Sequence, residues 1–126
     1  MKRPVKVLMI EDEQDFVDSC EEYFREDVQG YAFFKAYSGM AGMRLVESER
    51  PDVLVLDMNL GAGPGGVDVL KKSKQMHPGL KVIVLTGYLD PALEEQARGL
   101  GIDAYLEKPI SSHASLQQAI DRVLAS

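Results

Sequence analysis

Short apolar runs alternate with longer stretches of helical period along the whole chain. Val5 to Ile10, Tyr31 to Ala36, Val53 to Asp57, Lys81 to Thr86 and Ile102 to Leu106 have strand length and the residue types strands favour. Val53 to Leu56 and Val82 to Leu85 are unbroken apolar runs, which predicts central strands buried on both faces. Glu13 to Glu26 carries Phe16, Val17, Cys20, Tyr23 and Phe24 at spacings of three and four, the stripe of a core-facing helix. Ser38 caps a second helix bearing Met40, Met43, Leu45 and Val46, although Gly39 and Gly42 weaken it. Val67 to Met76 forms a third, stopped by His77-Pro78-Gly79. Asp90 before Pro91 is an N-cap with proline at the first helical position, opening a fourth helix that runs to about Gly99. Ser111 or Ser112 caps the last helix, which ends near Ala125.

Five strands in strict alternation with five helices, joined by right-handed crossovers, predict an α/β fold: a doubly wound five-stranded parallel sheet covered on both faces. Ligands of such sheets sit beyond the carboxyl ends of the strands. Those ends carry Glu11 and Asp12, then Asp57, Thr86 and Lys108-Pro109. Three carboxylates at one rim need cations to stay ionised together; Lys108 supplies one positive charge and a divalent metal would supply two. An all-oxygen donor set selects Mg²⁺ or Mn²⁺. A carboxylate there can attack a phosphoryl group and become an aspartyl phosphate, while metal, lysine and hydroxyl neutralise the equatorial oxygens.

Composition narrows the choice. The chain has 126 residues, room for one domain, and its 45% hydrophobic and 27% charged residues are those of an ordinary globular protein. Twenty acidic against fourteen basic residues give a net charge of −6, which argues against direct nucleic-acid binding and against anionic membrane surfaces. The unbroken apolar runs are far shorter than the roughly 20 residues a membrane span needs. Met-Lys-Arg-Pro leads directly into the first strand, and Cys20 has no internal disulfide partner, so a cytoplasmic location is expected. Cys20 reads as a small packing residue, and His77 and His113 are expected away from the rim carboxylates.

Four segments, Val7-Leu8-Met9-Ile10-Glu11-Asp12-Glu13, Val53-Leu54-Val55-Leu56-Asp57, Val82-Ile83-Val84-Leu85-Thr86-Gly87 and Ala104-Tyr105-Leu106-Glu107-Lys108-Pro109, together resemble the receiver domain of two-component response regulators. The resemblance covers residues 1–126 as one receiver domain. It implies a flavodoxin-like three-layer α/β/α fold with strand order 2-1-3-4-5. It further implies that Asp57 accepts a phosphoryl group from a sensor histidine kinase or phosphotransfer protein. Mg²⁺ would be held by Glu11, Asp12, Asp57 and the backbone carbonyl of Asn59. Thr86 and Lys108 would engage the phosphoryl group, Thr86 and Tyr105 would act as the switch, and the Lys108–Pro109 peptide would be cis. The face of the fourth helix, fifth strand and fifth helix, with Ala92, Leu93, Tyr105 and Ile110, would control a downstream output. By the same resemblance the protein is a monomer or a phosphorylation-dependent dimer that catalyses only its own aspartyl phosphorylation and dephosphorylation.

The chain departs from the family pattern at Glu11, where aspartate is more common, and in the loop after Asp57, which lacks the usual proline and is one residue longer. Asn59 and Tyr88 occupy places that modulate loss of the phosphoryl group, and a bulky Tyr88 is expected to shield it from water. Two other readings compete. Gly61-x-Gly63-x-x-Gly66 matches a dinucleotide fingerprint and would make this a small nucleotide- or flavin-binding module, but Asp57 would repel a pyrophosphate and no acid ends the following strand. A Mg²⁺-dependent phosphohydrolase would use Asp57 as nucleophile but would carry a second aspartate where Asn59 stands.

Overall fold

The computed structural model describes residues 3–61, 63–87 and 90–126. Its elements alternate as the hydrophobic pattern predicts: β1 (Val5–Ile10), α1 (Gln14–Glu26), β2 (Tyr31–Ala36), α2 (Gly39–Glu49), β3 (Val53–Asp57), α3 (Gly66–Met76), β4 (Lys81–Thr86), α4 (Pro91–Gly99), β5 (Ala104–Glu107) and α5 (His113–Ala125). The sheet is parallel, in the order β2-β1-β3-β4-β5.

Successive residues of a strand point to opposite faces, and here each face has its own core. Val7, Met9, Val53, Val55, Ile83 and Leu85 pack against α1 and α5 through Val17, Cys20, Phe24, Leu116 and Ile120. The intervening residues Leu8, Ile10, Leu54, Leu56, Val82 and Val84 pack against α2, α3 and α4 through Val46, Val69, Leu70 and Ala97. Cys20 is fully buried in the first core, as expected of a packing residue. Gly42 lets α2 lie close to the sheet: a Cβ there would fall 2.2 Å from Cδ1 of Ile10.

Four boundaries differ from the sequence pattern, one of them the end of the last strand, at Glu107 instead of Leu106. Glu13 is the N-cap of α1, not its first residue. Gly66, not Val67, opens α3. The last strand begins at Ala104, two residues later than Ile102. Asp103 causes this shift: its N–H donates to Val82 O and its carboxylate accepts the Val82 N–H, both at 2.8 Å, so a side chain stands in for the ladder before Ala104 pairs with Ile83. Ile102 then packs with the α2–α4 core. Between the two serines considered for α5, Ser112 is the cap, accepting from Ser115 N–H at 3.0 Å.

The end of β3 is fixed by a close approach. A Cβ on Gly66 would sit 2.6 Å from Met58 Cα and 2.7 Å from Met58 O, so only glycine lets α3 begin against the residue that follows Asp57. Gly66→Ala is expected to cost about 1–3 kcal/mol through overpacking against backbone. Urea denaturation followed by circular dichroism checks this; an unchanged midpoint would refute the tight contact.

Candidate functional site

Three strands end at the same rim, and each delivers a polar group onto a buried position. Glu11 directly follows β1, Asp57 ends β3 and Thr86 ends β4; Glu11 is fully buried, Asp57 is 2% exposed and Thr86 is 1% exposed. Carboxylates are almost never found so deep without a partner. Lys108 is that partner. Its Nζ lies 2.6 Å from Glu11 Oε1, 3.3 Å from Glu13 Oε1 and 3.6 Å from Asp57 Oδ2. The Lys108 backbone is anchored at this rim, its N–H donating to Thr86 O at 2.7 Å, and the Lys108–Pro109 peptide is cis, as the resemblance implies.

Three further carboxylate oxygens are held by backbone. Asp57 Oδ1 accepts from Asn59 N–H at 2.9 Å, Glu11 Oε2 from Glu13 N–H at 3.2 Å, and Asp12 Oδ2 from Gly61 N–H at 3.0 Å. Glu11, Asp12 and Asp57 each offer a ligand oxygen within 4.8 Å of the others, a group able to hold a metal ion. Their all-oxygen chemistry fits a hard divalent cation. Burial, and next the neighbouring Asp57, push the Glu11 carboxyl up to about 7, against the pull of Lys108. Burial lowers the affinity of Lys108 for its proton, but the hydrogen bond to Glu11 and the charges of Asp57 and Glu11 outweigh it and hold the ammonium above its ordinary value.

A pocket of about 740 Å³ opens over this cluster. Asp12, Glu13, Asp57, Asn59 and Lys108 form its polar side; Phe16, Pro109 and Ile110 form an apolar wall, and Ser112 and His113 close it. His113 therefore lines the same pocket as Asp57, contrary to the expectation that it would lie away from the rim carboxylates. The cap at Ser112, three residues after Pro109, lays the first turn of α5 over the pocket. His113 Nε2 sits 3.1 Å from Ser19 Oγ, and because that hydroxyl donates to Phe16 O at 2.8 Å, the imidazole is the donor to it. His77 is elsewhere, bonding Pro51 O beyond the opposite end of the sheet.

Tyr105 is half-buried and packs with the α2–α4 core; among the described residues its hydroxyl has no hydrogen-bond partner. Leu93 packs in the same core, whereas Ile110 packs with the α1–α5 core and lines the pocket. Ala92 is exposed. Tyr88 lies outside the described residues, as does Ala62 of the glycine-rich loop. The loop's glycines have local uses: Gly61 N–H is taken by Asp12 and Gly66 abuts Met58. A pyrophosphate there would face Asp12 and Asp57, so the nucleotide- or flavin-binding alternative is not favoured. Among the described residues no helix is long and apolar enough to cross a membrane.

The 2-1-3-4-5 sheet with five helices is the fold of response regulator receiver domains, and residues 7–121 match the family model of that description. The chain belongs to this family, the phospho-accepting signalling domains of two-component systems. It is 30% identical to the sporulation initiation phosphotransferase F of Bacillus subtilis over 104 residues, covering 82% of each chain. A receiver domain from Clostridium thermocellum superposes with a TM-score of 0.83 at 28% identity, covering 96% of this chain and 94% of that one. A response regulator from Burkholderia pseudomallei with a phosphorylated aspartic acid, a calcium ion and citrate superposes with a TM-score of 0.81 at 27% identity, covering 95% and 71%. Of two longer regulators that it matches at 32% and 35% identity, the chain spans only 44% and 45%.

The raised Glu11 pKa has a consequence for stability. A carboxyl that holds its proton more tightly when folded contributes stability below its unfolded value of 4.5, and that contribution is lost as pH rises through about 7. Glu11→Gln does not titrate, so in metal-free buffer it is expected to gain on wild type as pH rises from about 6 to about 8. Urea midpoints of both proteins at the two pH values check this; parallel midpoints would contradict it.

Proposed function

We propose that residues 1–126 form one receiver domain that takes a phosphoryl group onto Asp57 from the phosphohistidine of a sensor kinase or phosphotransfer protein. The observation that carries the reading is the pairing of a buried Asp57 with Lys108 at the mouth of an open pocket. An Asp57 carboxylate oxygen forms a bond to phosphorus as the P–N bond of the phosphohistidine breaks, its electron pair staying on the imidazole nitrogen. The phosphoryl group replaces a single carboxylate charge by about −2, and Lys108 and Thr86 stand at the neighbouring strand ends to engage it.

Glu11, Asp12, Asp57 and the backbone carbonyl of Asn59 would hold Mg²⁺, or Mn²⁺, which when bound neutralises charge on the phosphoryl oxygens. The phosphorylated aspartic acid and the calcium ion of the Burkholderia pseudomallei regulator support both parts of this reading by similarity. Engagement of Thr86 draws it toward the phosphoryl group, and Tyr105, whose hydroxyl has no hydrogen-bond partner among the described residues, follows as the second switch residue. The surface of α4, β5 and α5, with Ala92 and Leu93 on α4, then presents a changed face to a downstream output. The only chemistry catalysed is the domain's own phosphorylation and dephosphorylation, in a cytoplasmic setting.

Intact mass after incubation with acetyl phosphate tests the proposal. One added phosphoryl mass is expected on wild type with Mg²⁺, none with EDTA, and none on Asp57→Asn. Lys108→Met is expected to be less stable than wild type, because Glu11 and Asp57 lose their cation, and, under conditions where circular dichroism shows it folded, to lose phosphorylation rate by at least tenfold, the cost of removing a charge aimed at the transferring group. Phosphorylation that persists in EDTA or on Asp57→Asn would overturn the assignment.

A further inference from the structure

Glu13 is the N-cap of α1, yet its side chain makes no capping hydrogen bond. It turns instead to the pocket mouth, where Oε1 is the second contact of Lys108 Nζ at 3.3 Å, after Glu11 at 2.6 Å and before Asp57 at 3.6 Å. The two glutamates differ in kind: the Glu11 side chain is fully buried, that of Glu13 is 67% exposed. An arriving phosphoryl oxygen must win Lys108 from one of them. The exposed ion pair is the weak one, since its carboxylate is solvated as soon as it swings away.

Until it moves, Glu13 places a fourth negative charge beside Asp12, Asp57 and Glu11 on the path a donor takes to Asp57. Its position at the mouth means it meets the donor's charge before Asp57 meets the phosphorus. Among the described residues Lys108 is the one partner of this carboxylate, since α1 is not capped by it and the metal-binding oxygens are those of its neighbours.

We propose that Glu13 is a charge gate at the mouth of the Asp57 site, a positioning residue acting through Lys108 that disfavours small dianionic phosphodonors relative to donors of lower charge. The inference rests on Asp57 being the phosphoacceptor. It gives the domain a preference for a phosphoryl group delivered on a weakly charged leaving group, such as an imidazole, over free acyl phosphates.

Two donors separate the gate from a structural role. With acetyl phosphate, a dianion at neutral pH, an Asp57 oxygen bonds to phosphorus while the bond from phosphorus to the acetyl oxygen breaks and acetate leaves with the electron pair. With phosphoramidate, a monoanion, the P–N bond breaks and the nitrogen, already carrying three protons, leaves as ammonia. Screened repulsion across about 6 Å predicts that Glu13→Gln speeds the acetyl phosphate reaction about threefold and the phosphoramidate reaction less than twofold. Glu13→Lys should move both rates further in the same order, and Glu13→Asp should keep the wild-type ratio of the two. Rates are read on the full chain with Mg²⁺ by intact mass, and the acetyl phosphate gain of Glu13→Gln should shrink as salt is added. Equal acceleration of both donors, or slowing of both, would overturn the gate while leaving Asp57 phosphorylation intact. If neither donor adds mass to wild type, the phosphoacceptor reading falls and the gate with it.

Discussion

A buried carboxylate next to a second buried carboxylate must be neutralised, and here one lysine does it. Glu11 and Asp57 are forced together by the sheet itself, because β1 and β3 are adjacent, parallel and end at the same rim. Lys108, carried in from the far edge of the sheet, lies within 3.6 Å of both. Removing a partner from such a group leaves an uncompensated charge at a cost of several kcal/mol, so the fifth strand and its cis peptide are tied to the first and third through one ammonium. That ammonium is also the charge a phosphoryl group would recruit. On the proposed function, stability of the resting state and response to phosphorylation would compete for the same atom.

The layered core explains why the rim is rigid enough for chemistry. β3 is buried along its whole length, and its side chains divide between two cores, so Asp57 cannot shift without disturbing both. Gly66 holds the return path of the chain against Met58. By contrast, the pocket's outer wall comes from loop ends and helix starts: Glu13, Pro109, Ile110 and His113. On the proposed function, specificity for a donor would be more easily varied there, where a substitution faces solvent, than at the strand ends.

The central strands were legible because burial on both faces leaves unbroken apolar runs, and the acid or hydroxyl that ends each run marks the rim. Asp90-Pro91 marks a helix start through capping chemistry alone, and the Ser111-Ser112 pair marks another, with the structure choosing Ser112. The start of β5 was not legible: Ile102 has a strand's residue type, but the Asp103 side chain substitutes for the ladder, a contact with Val82 that no local pattern reveals. The place of His113 in the pocket is hidden for a related reason: its contact with Ser19 joins residues 94 apart in the chain, as the contact of Glu13 with Lys108 joins residues 95 apart.

The account stands on Asp57 being the atom that takes the phosphoryl group. Borohydride converts an aspartyl phosphate to homoserine, so reduction of the phosphorylated chain followed by peptide mass mapping locates the modified residue directly. Homoserine at position 57 is the predicted result. Homoserine at Glu11's neighbour Asp12, or an unreduced chain with the phosphoryl group on His113 across the same pocket, would contradict it.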